Sequence, residues 1–441
     1  MSIKKSISFT FSAQIINTVI AFASSIIITR ILGAYGRGEN IIFINAIAFA
    51  VLFFGLSINS TIPYFINSGK IKVEELFNTI MLFIVISTVF VFFCLIILER
   101  LKVLEWALPN SLQSLHYKLI FTGIYFTTLV SSVLSTYITT SKFFKQISIF
   151  GITVQLLSLL SYFLIYLNVF PLDKINPIKT VINISFVLSL ISTIILLIVF
   201  FKLFSFQFTK NIIEFKLLKK FALFSSLAYF ANIFQFFAYK LDFWFIDSYT
   251  SKMELGVYSL ATQLSQLLWI LPQAIAGVLY IYASSNNEKE AIRYTIKLKQ
   301  LVVVLSLIFA VSGLILGYFY IPIIYGSDFK NTVNLMIWFM IGVIPFGVTT
   351  IIASLFAARG EFKINFILST IMFLISAILY TLLIPKYGTI GGAIASSLSY
   401  LVGSIICEVW FCKKYNIKFA TLFSFNKDIF SISGILKQIK R

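Results

Sequence analysis

The feature that most constrains this chain is a succession of apolar runs, each about as long as a bilayer is thick. They fall at 6–29, 40–66, 77–98, 117–140, 146–170, 180–201, 221–246, 255–283, 300–325, 332–357, 364–385 and 389–412. About 20 apolar residues in a helix cross the hydrocarbon, and only helices and closed barrels satisfy their backbone polar groups there. The expectation is an all-α integral membrane protein of about twelve transmembrane segments. Charged residues make up only 12% of the sequence and the mean hydropathy is +0.97, whereas a soluble domain carries about 25% charged residues. A water-soluble fold is excluded. The first run follows Lys4 and Lys5 and reaches Arg30 without an A-x-A site. It is too long for a signal-peptide core and is expected to persist as an uncleaved helix.

The same residues remove most chemistry. One histidine, His116, and three cysteines, Cys94, Cys407 and Cys412, provide no set of metal ligands. Each cysteine lies in an apolar run and reads as a packed thiol. No GxxxxGK[ST] or HExxH sequence occurs, so the usual parts for ATP hydrolysis or zinc chemistry are missing. The expectation is a protein that is not an enzyme and needs no cofactor. A membrane polysaccharide polymerase or ligase is the reading from a different class. Short outer loops, the longest about Glu99 to His116, and the lone His116 oppose it.

The formal net charge is +19, which raises the question of nucleic acid. Of the 35 Lys and Arg, 24 fall on the N-terminus, the even-numbered loops and the C-terminal tail, and 10 on the odd-numbered loops. Lys240 is the remaining one, inside the seventh segment. Cytoplasmic loops retain Lys and Arg, so both termini are expected in the cytoplasm, and the loops around Arg37, Lys174 and Lys252 outside. No folded basic domain offers a phosphate-binding face, and nucleic acid is not expected as a partner. The basic tail (Lys413, Lys414, Lys418, Lys437, Lys440, Arg441) is also suited to touching anionic lipid.

Shifting the chain against itself by 218 residues aligns its halves without a gap over about five segments. Gly38 falls on Gly256, Phe144-Lys145 on Phe362-Lys363, Gln14 and Asn17 on Asn232 and Gln235, and Asn45 on Gln263. Six segments per half is an even number, so the halves share one orientation, as in parallel-repeat transporters. The expected lobes are 1–210 and 211–441, enclosing a cavity. Polar stripes at helical spacing fit a hydrated lumen: Thr10, Gln14, Asn17, Thr18, Ser24 and Ser25 in segment 1, Ser225, Asn232, Gln235, Tyr239 and Asp242 in segment 7, and Gln263, Gln266 and Gln273 in segment 8. Amides facing lipid would lose their hydrogen bonds, and dry helix–helix hydrogen bonding is the alternative. Ionisable groups within a span carry the sharpest signal. Lys240 and Asp242 are two residues apart and point apart on a helix. Snorkelling to the surface is the alternative for Lys240, and a boundary charge the alternative for Arg30.

Four stretches then resemble a known family: Arg30-Ile-Leu-Gly33 with Gly36-Arg37-Gly38, Leu255-Gly256-Val257-Tyr258-Ser259-Leu260-Ala261, Leu271-Pro272-Gln273-Ala274-Ile275, and Pro385-Lys386-Tyr387-Gly388-Thr389-Ile390-Gly391-Gly392-Ala393. With two sets of six segments, the chain resembles the Wzx-type O-antigen or capsule repeat-unit flippases of the multidrug/oligosaccharidyl-lipid/polysaccharide exporter (MOP) superfamily. That resemblance implies a MATE-like pair of six-helix lobes around a cationic cavity. It also implies alternating access, and transfer of undecaprenyl-pyrophosphate-linked oligosaccharides across the cytoplasmic (inner) membrane. Lys240, Arg30, Gln14, Asn17, Asn232, Gln235, Tyr239, Gln263 and Gln266 would bind substrate. Asp242 would be the site of a coupling H⁺ or Na⁺ ion. Membrane lipids and other polysaccharide-assembly membrane proteins are the implied partners. The alternative within the superfamily is an ion-coupled multidrug antiporter, which a deeply buried Asp242 would favour.

Overall fold

The computed structural model describes residues 3–56, 58–59, 62–63, 66, 73–169, 175–204, 215–285 and 287–424. Side chains are described over these residues except 3–11, 73, 215–225, 227, 228, 281, 285 and 362. Among the described residues every long element is a helix, and nine candidate spans are long and apolar enough to cross a bilayer. The chain divides into two compact units, Met1–Tyr229 and Phe230–Arg441.

The first unit contains α1 (Ile3–Phe54), α2 (Val73–Arg100), α3 (Leu115–Thr140), α4 (Phe144–Tyr166) and α5 (Pro177–Leu203). At 1.5 Å per residue, the 52 residues of α1 would make a straight rod of about 78 Å, more than twice the hydrocarbon thickness. The helix breaks instead at Gly33, whose backbone (φ 63°, ψ −174°) is essentially closed to residues with a Cβ. The expected loop at Arg30–Glu39 is therefore only a kink. Arg37 and Glu39 are buried beyond it, Arg37 donating to Thr29 Oγ1 and Glu39 accepting from the Ser111 hydroxyl at 2.9 Å. Between α3 and α5 the Thr127 hydroxyl donates to Ser189 at 3.1 Å, and Ser131 and Thr193 lie 2.9 Å apart. Tyr125 donates to Ser87 on α2 at 3.1 Å. These bonds keep hydroxyls satisfied inside an otherwise apolar core.

The second unit begins within α6 (Phe215–Tyr249) and continues through α7 (Lys252–Gln266), α8 (Ile270–Ser285), α9 (Glu288–Tyr325), α10 (Thr332–Ala358) and α11 (Phe362–Tyr415). A capping box on Ser251 and Glu254 starts α7. The eighth apolar run, expected as one helix, tightens into a 3₁₀ turn at Leu267–Trp269. The 54 residues of α11 break at Gly388 (φ 55°, ψ −132°). The offset seen in the sequence recurs in these boundaries: Phe144 and Phe362 both open helices, and the Gly33 kink matches the Ser251 cap. Helices α10 and α11 pack backbone to backbone, because a Cβ on Gly342 would come within 2.4 Å of Ser397 Cα and O. The Ser397 hydroxyl donates to the Trp338 carbonyl at 2.6 Å, reinforcing that contact.

At one end of this unit the Lys299 ammonium is 2.8 Å from Glu408 Oε1 and 4.2 Å from the Phe423 ring centroid, at 1% side-chain exposure. The pair is a charge contact rather than an aligned hydrogen bond. The neighbouring Gln300 amide donates to the Thr421 and Ser424 carbonyls at 3.1 and 3.0 Å. Together with buried Leu422, these contacts fasten the segment after α11 onto α9.

Candidate functional site

The seventh apolar run places three candidate side chains on α6, within one turn of helix. Tyr239, Lys240 and Asp242 follow Phe230–Ala238, a mostly apolar stretch whose polar members are Asn232 and Gln235. Asp242 is 1% exposed. A carboxylate so deep must have its oxygens satisfied, and here three helices contribute. Oδ1 accepts the backbone N–H of Phe243 at 3.0 Å, and Oδ2 accepts the Tyr258 hydroxyl of α7 at 2.6 Å. The Ser396 hydroxyl of α11 stands 3.5 Å from Oδ2 and 3.0 Å from the Tyr380 hydroxyl. Residues 380 and 396 lie on opposite sides of the Gly388 break, so both arms of α11 converge on one acid. The break therefore builds the site as well as turning the chain.

Lys240 is half-buried, with its ammonium 5.2 Å from the Phe243 ring centroid. Among the described residues no carboxylate lies within 4 Å of it, in keeping with the opposed directions of Lys240 and Asp242 on the helix. One helical turn back, Gln235 donates to the Tyr239 hydroxyl at 2.9 Å. The Tyr239 ring meets Trp269, Phe346 and Tyr400 with centroids 5.6, 5.8 and 5.9 Å away, and those three also touch one another. Trp269 donates to the Val343 carbonyl at 2.9 Å. The four rings fill this part of the unit as a packed core.

The remaining expected residues take varied positions. Asn232 and Gln235 are exposed, and Gln263 and Gln266 are half-buried on α7 beyond Tyr258. In the first unit Gln14 and Arg30 are exposed on α1. Asn17 differs from the reading of a lumen-facing amide: its Nδ2 would stand 3.0 Å from a Cβ on Gly151, so the side chain packs against α4. Lys252, expected in a free outer loop, is the first residue of α7 and pairs with Asp247 at 2.5 Å. Thr10 and Ser225 lie outside the described side chains. Tyr258, Tyr380 and Ser396 surround Asp242, a grouping that sequence reasoning missed. Nothing in local spacing marks them, since Ser396 is 154 residues from the acid it faces.

Chemically the Asp242 cluster offers one carboxylate and three hydroxyl oxygens. Hard cations take oxygen ligands, and a carboxylate can equally take a proton. Among the described residues no group of three or more His, Cys, Asp or Glu gathers as a metal site.

The sequence profile described as polysaccharide biosynthesis protein matches residues 3–285, well over half of the chain. No curated protein matches. Among solved structures, the lipid II flippase MurJ in an inward closed conformation is 17% identical, with 96% of each chain covered and a TM-score of 0.65. An inward-facing multidrug resistance MATE transporter of the MOP superfamily is 13% identical, with 93% of this chain and 96% of that chain covered and a TM-score of 0.65. The Vibrio cholerae MATE transporter VcmN in its bent form is 11% identical, with 95% and 97% covered and a TM-score of 0.61. At such identities the likeness establishes the fold. Profile and fold together place this multi-pass membrane chain: it belongs to the polysaccharide biosynthesis protein family and has the fold of the MOP-superfamily flippases and transporters.

Proposed function

We propose that the chain moves lipid-linked oligosaccharide repeat units across the cytoplasmic membrane by alternating access, with both termini in the cytoplasm. The observation that carries this reading is Lys240, a cation in an apolar helix of a polysaccharide biosynthesis family member, with no carboxylate within 4 Å among the described residues. A pyrophosphate leaving water needs cations in place of its hydration, and sugars need amides and aromatic faces. Lys240 and Arg30 supply the former; Gln14, Asn232, Gln235, Gln263 and Gln266 supply amides for the latter. At an effective dielectric near 20, an ion pair at 4 Å is worth about 4 kcal/mol.

Complementation of a strain lacking its own repeat-unit flippase tests the assignment. Lys240→Ala and Lys240→Gln should reach the membrane at normal level yet export little or no surface polysaccharide. Lys240→Arg should be partly active, because charge is kept while geometry changes. Wild-type export from Lys240→Ala would reduce the residue to a snorkelling anchor.

A second reading, ion-coupled multidrug antiport, is favoured by the depth of Asp242 at 1% exposure. Both readings use Asp242 as the site of a coupling H⁺ or Na⁺ ion. They part on cargo: drug efflux by the wild-type chain with no rescue of polysaccharide export would select antiport.

A further inference from the structure

The last turns of α11 present an amphiphilic surface that the transport reading leaves unused. Ile405, Val409 and Lys413 recur at four-residue spacing and therefore stand in one row along the helix, spanning about 12 Å. Ile405 is 46% exposed and Val409 36%, and Lys413 is exposed at the end of the row. A groove of about 510 Å³ runs along one side, lined by Ile405, Ile406, Val409, Trp410, Lys413 and Lys414. A second, of about 490 Å³, shares Val409 and Lys413 and reaches Lys418 and Phe419. In the first, apolar walls give way to ammonium groups along the helix, and in the second Lys413 and Lys418 stand beside Ile417 and Phe419.

The charges are not all spoken for. Lys414 is paired with Glu361 and lies 5.7 Å from the Tyr415 ring centroid, and the buried Glu408 is taken by Lys299. Among the described residues no carboxylate lies within 4 Å of Lys413 or Lys418. An uncharged hydrocarbon would leave these two cations unmatched, and a small soluble anion would leave the apolar walls wet. An amphiphile with a phosphate at one end meets both requirements. Trp410 is a residue type favoured where hydrocarbon meets headgroups. On the topology expected from the Lys and Arg count, this end of α11 faces the cytoplasmic leaflet, whose surface is negative.

We propose that these grooves form a seat for an anionic phospholipid of the surrounding membrane. Its acyl chains would lie along Ile405, Val409 and Trp410, and its phosphate would be held by Lys413 and Lys418. The site lies within the second unit and is independent of the cargo.

Native mass spectrometry of the full chain in mild detergent, titrated with phosphatidylglycerol or phosphatidylcholine, tests it. The wild-type chain should retain phosphatidylglycerol at a concentration roughly tenfold lower than phosphatidylcholine, as expected for two lysines near a phosphate. The double variant Lys413→Gln/Lys418→Gln should lose that preference. Lys413→Arg/Lys418→Arg should keep it, which separates loss of charge from damage to the fold. Ile405→Ser/Val409→Ser should weaken retention of both lipids. Equal retention of the two lipids by the wild-type chain would overturn the proposal. So would unchanged preference in the Gln pair, or loss as complete in the Arg pair. An equal loss in the control pair Lys289→Gln/Lys386→Gln would mean general surface charge, and displacement by excess glycerol phosphate would mean a free-phosphate site; either result also overturns it.

Discussion

Asp242 and Lys240 are two residues apart on α6 and meet opposite surroundings. The acid is wrapped in donors from three helices, while the ammonium of the base lies 5.2 Å from the Phe243 ring centroid with no carboxylate within 4 Å among the described residues. Removing the Tyr258 hydroxyl leaves Oδ2 without its 2.6 Å donor, which costs about 1–3 kcal/mol for a buried acceptor. Tyr258→Phe should therefore lower the thermal midpoint of the purified protein. Asp242→Asn should instead leave the protein folded and abolish the dependence of transport on an imposed Na⁺ or H⁺ gradient; unchanged gradient dependence would remove Asp242 from coupling. Cysteines at Gln14 and Gln235 should react with water-soluble thiol reagents, whereas one at Asn17, packed against Gly151, should react slowly. Both ionisable residues were legible in the sequence because a charge within an apolar run stands out. Their partners were not, because Tyr258, Tyr380 and Ser396 are ordinary helix residues until the chain folds. Asn17 was misjudged for a related reason: helical spacing gives a direction around its own helix and says nothing about which neighbour lies there. The exposed Lys386 serves as a control for Lys240, because its removal strands no carboxylate that it pairs with among the described residues.

Among the elements, two glycines do different work. Gly33 supplies a backbone conformation and has open space around its missing side chain, whereas Gly342 supplies contact between two backbones. Gly33→Ala should cost about 1–3 kcal/mol in backbone strain. Gly342→Ala must push α10 and α11 apart and should cost at least a comparable amount through overpacking. Only the second change should also disturb the Ser397–Trp338 bond. Thermal melts of both variants, with crosslinking between cysteines placed on α10 and α11, would separate strain from displacement. The apolar runs located almost every helix, since periodic hydrophobicity over 20 residues is hard to mistake. Their ends were less legible. The first two runs, read as separate helices, merge into α1 through the kink at Gly33, and the eighth was read through the turn at Leu267–Trp269. Hydropathy records solubility in lipid and is blind to where a helix tightens or stops.

For the whole molecule, the uneven distribution of Lys and Arg makes orientation the property to measure. Reporter fusions after Asn416 should report a cytoplasmic C-terminus, and fusions near Tyr387 an external one; the reverse pattern would invert the arrangement. The pairing of Lys299 with Glu408 bears on how such a chain is made. The lysine leaves the ribosome roughly a hundred residues before its carboxylate, a delay of about 5–20 s at ordinary synthesis rates. Throughout that interval the ammonium at the start of the apolar run of α9 lacks the carboxylate it meets in the folded chain. The carboxylate of a later helix thus completes the end of an earlier one, and the order of synthesis makes α9 wait for its partner.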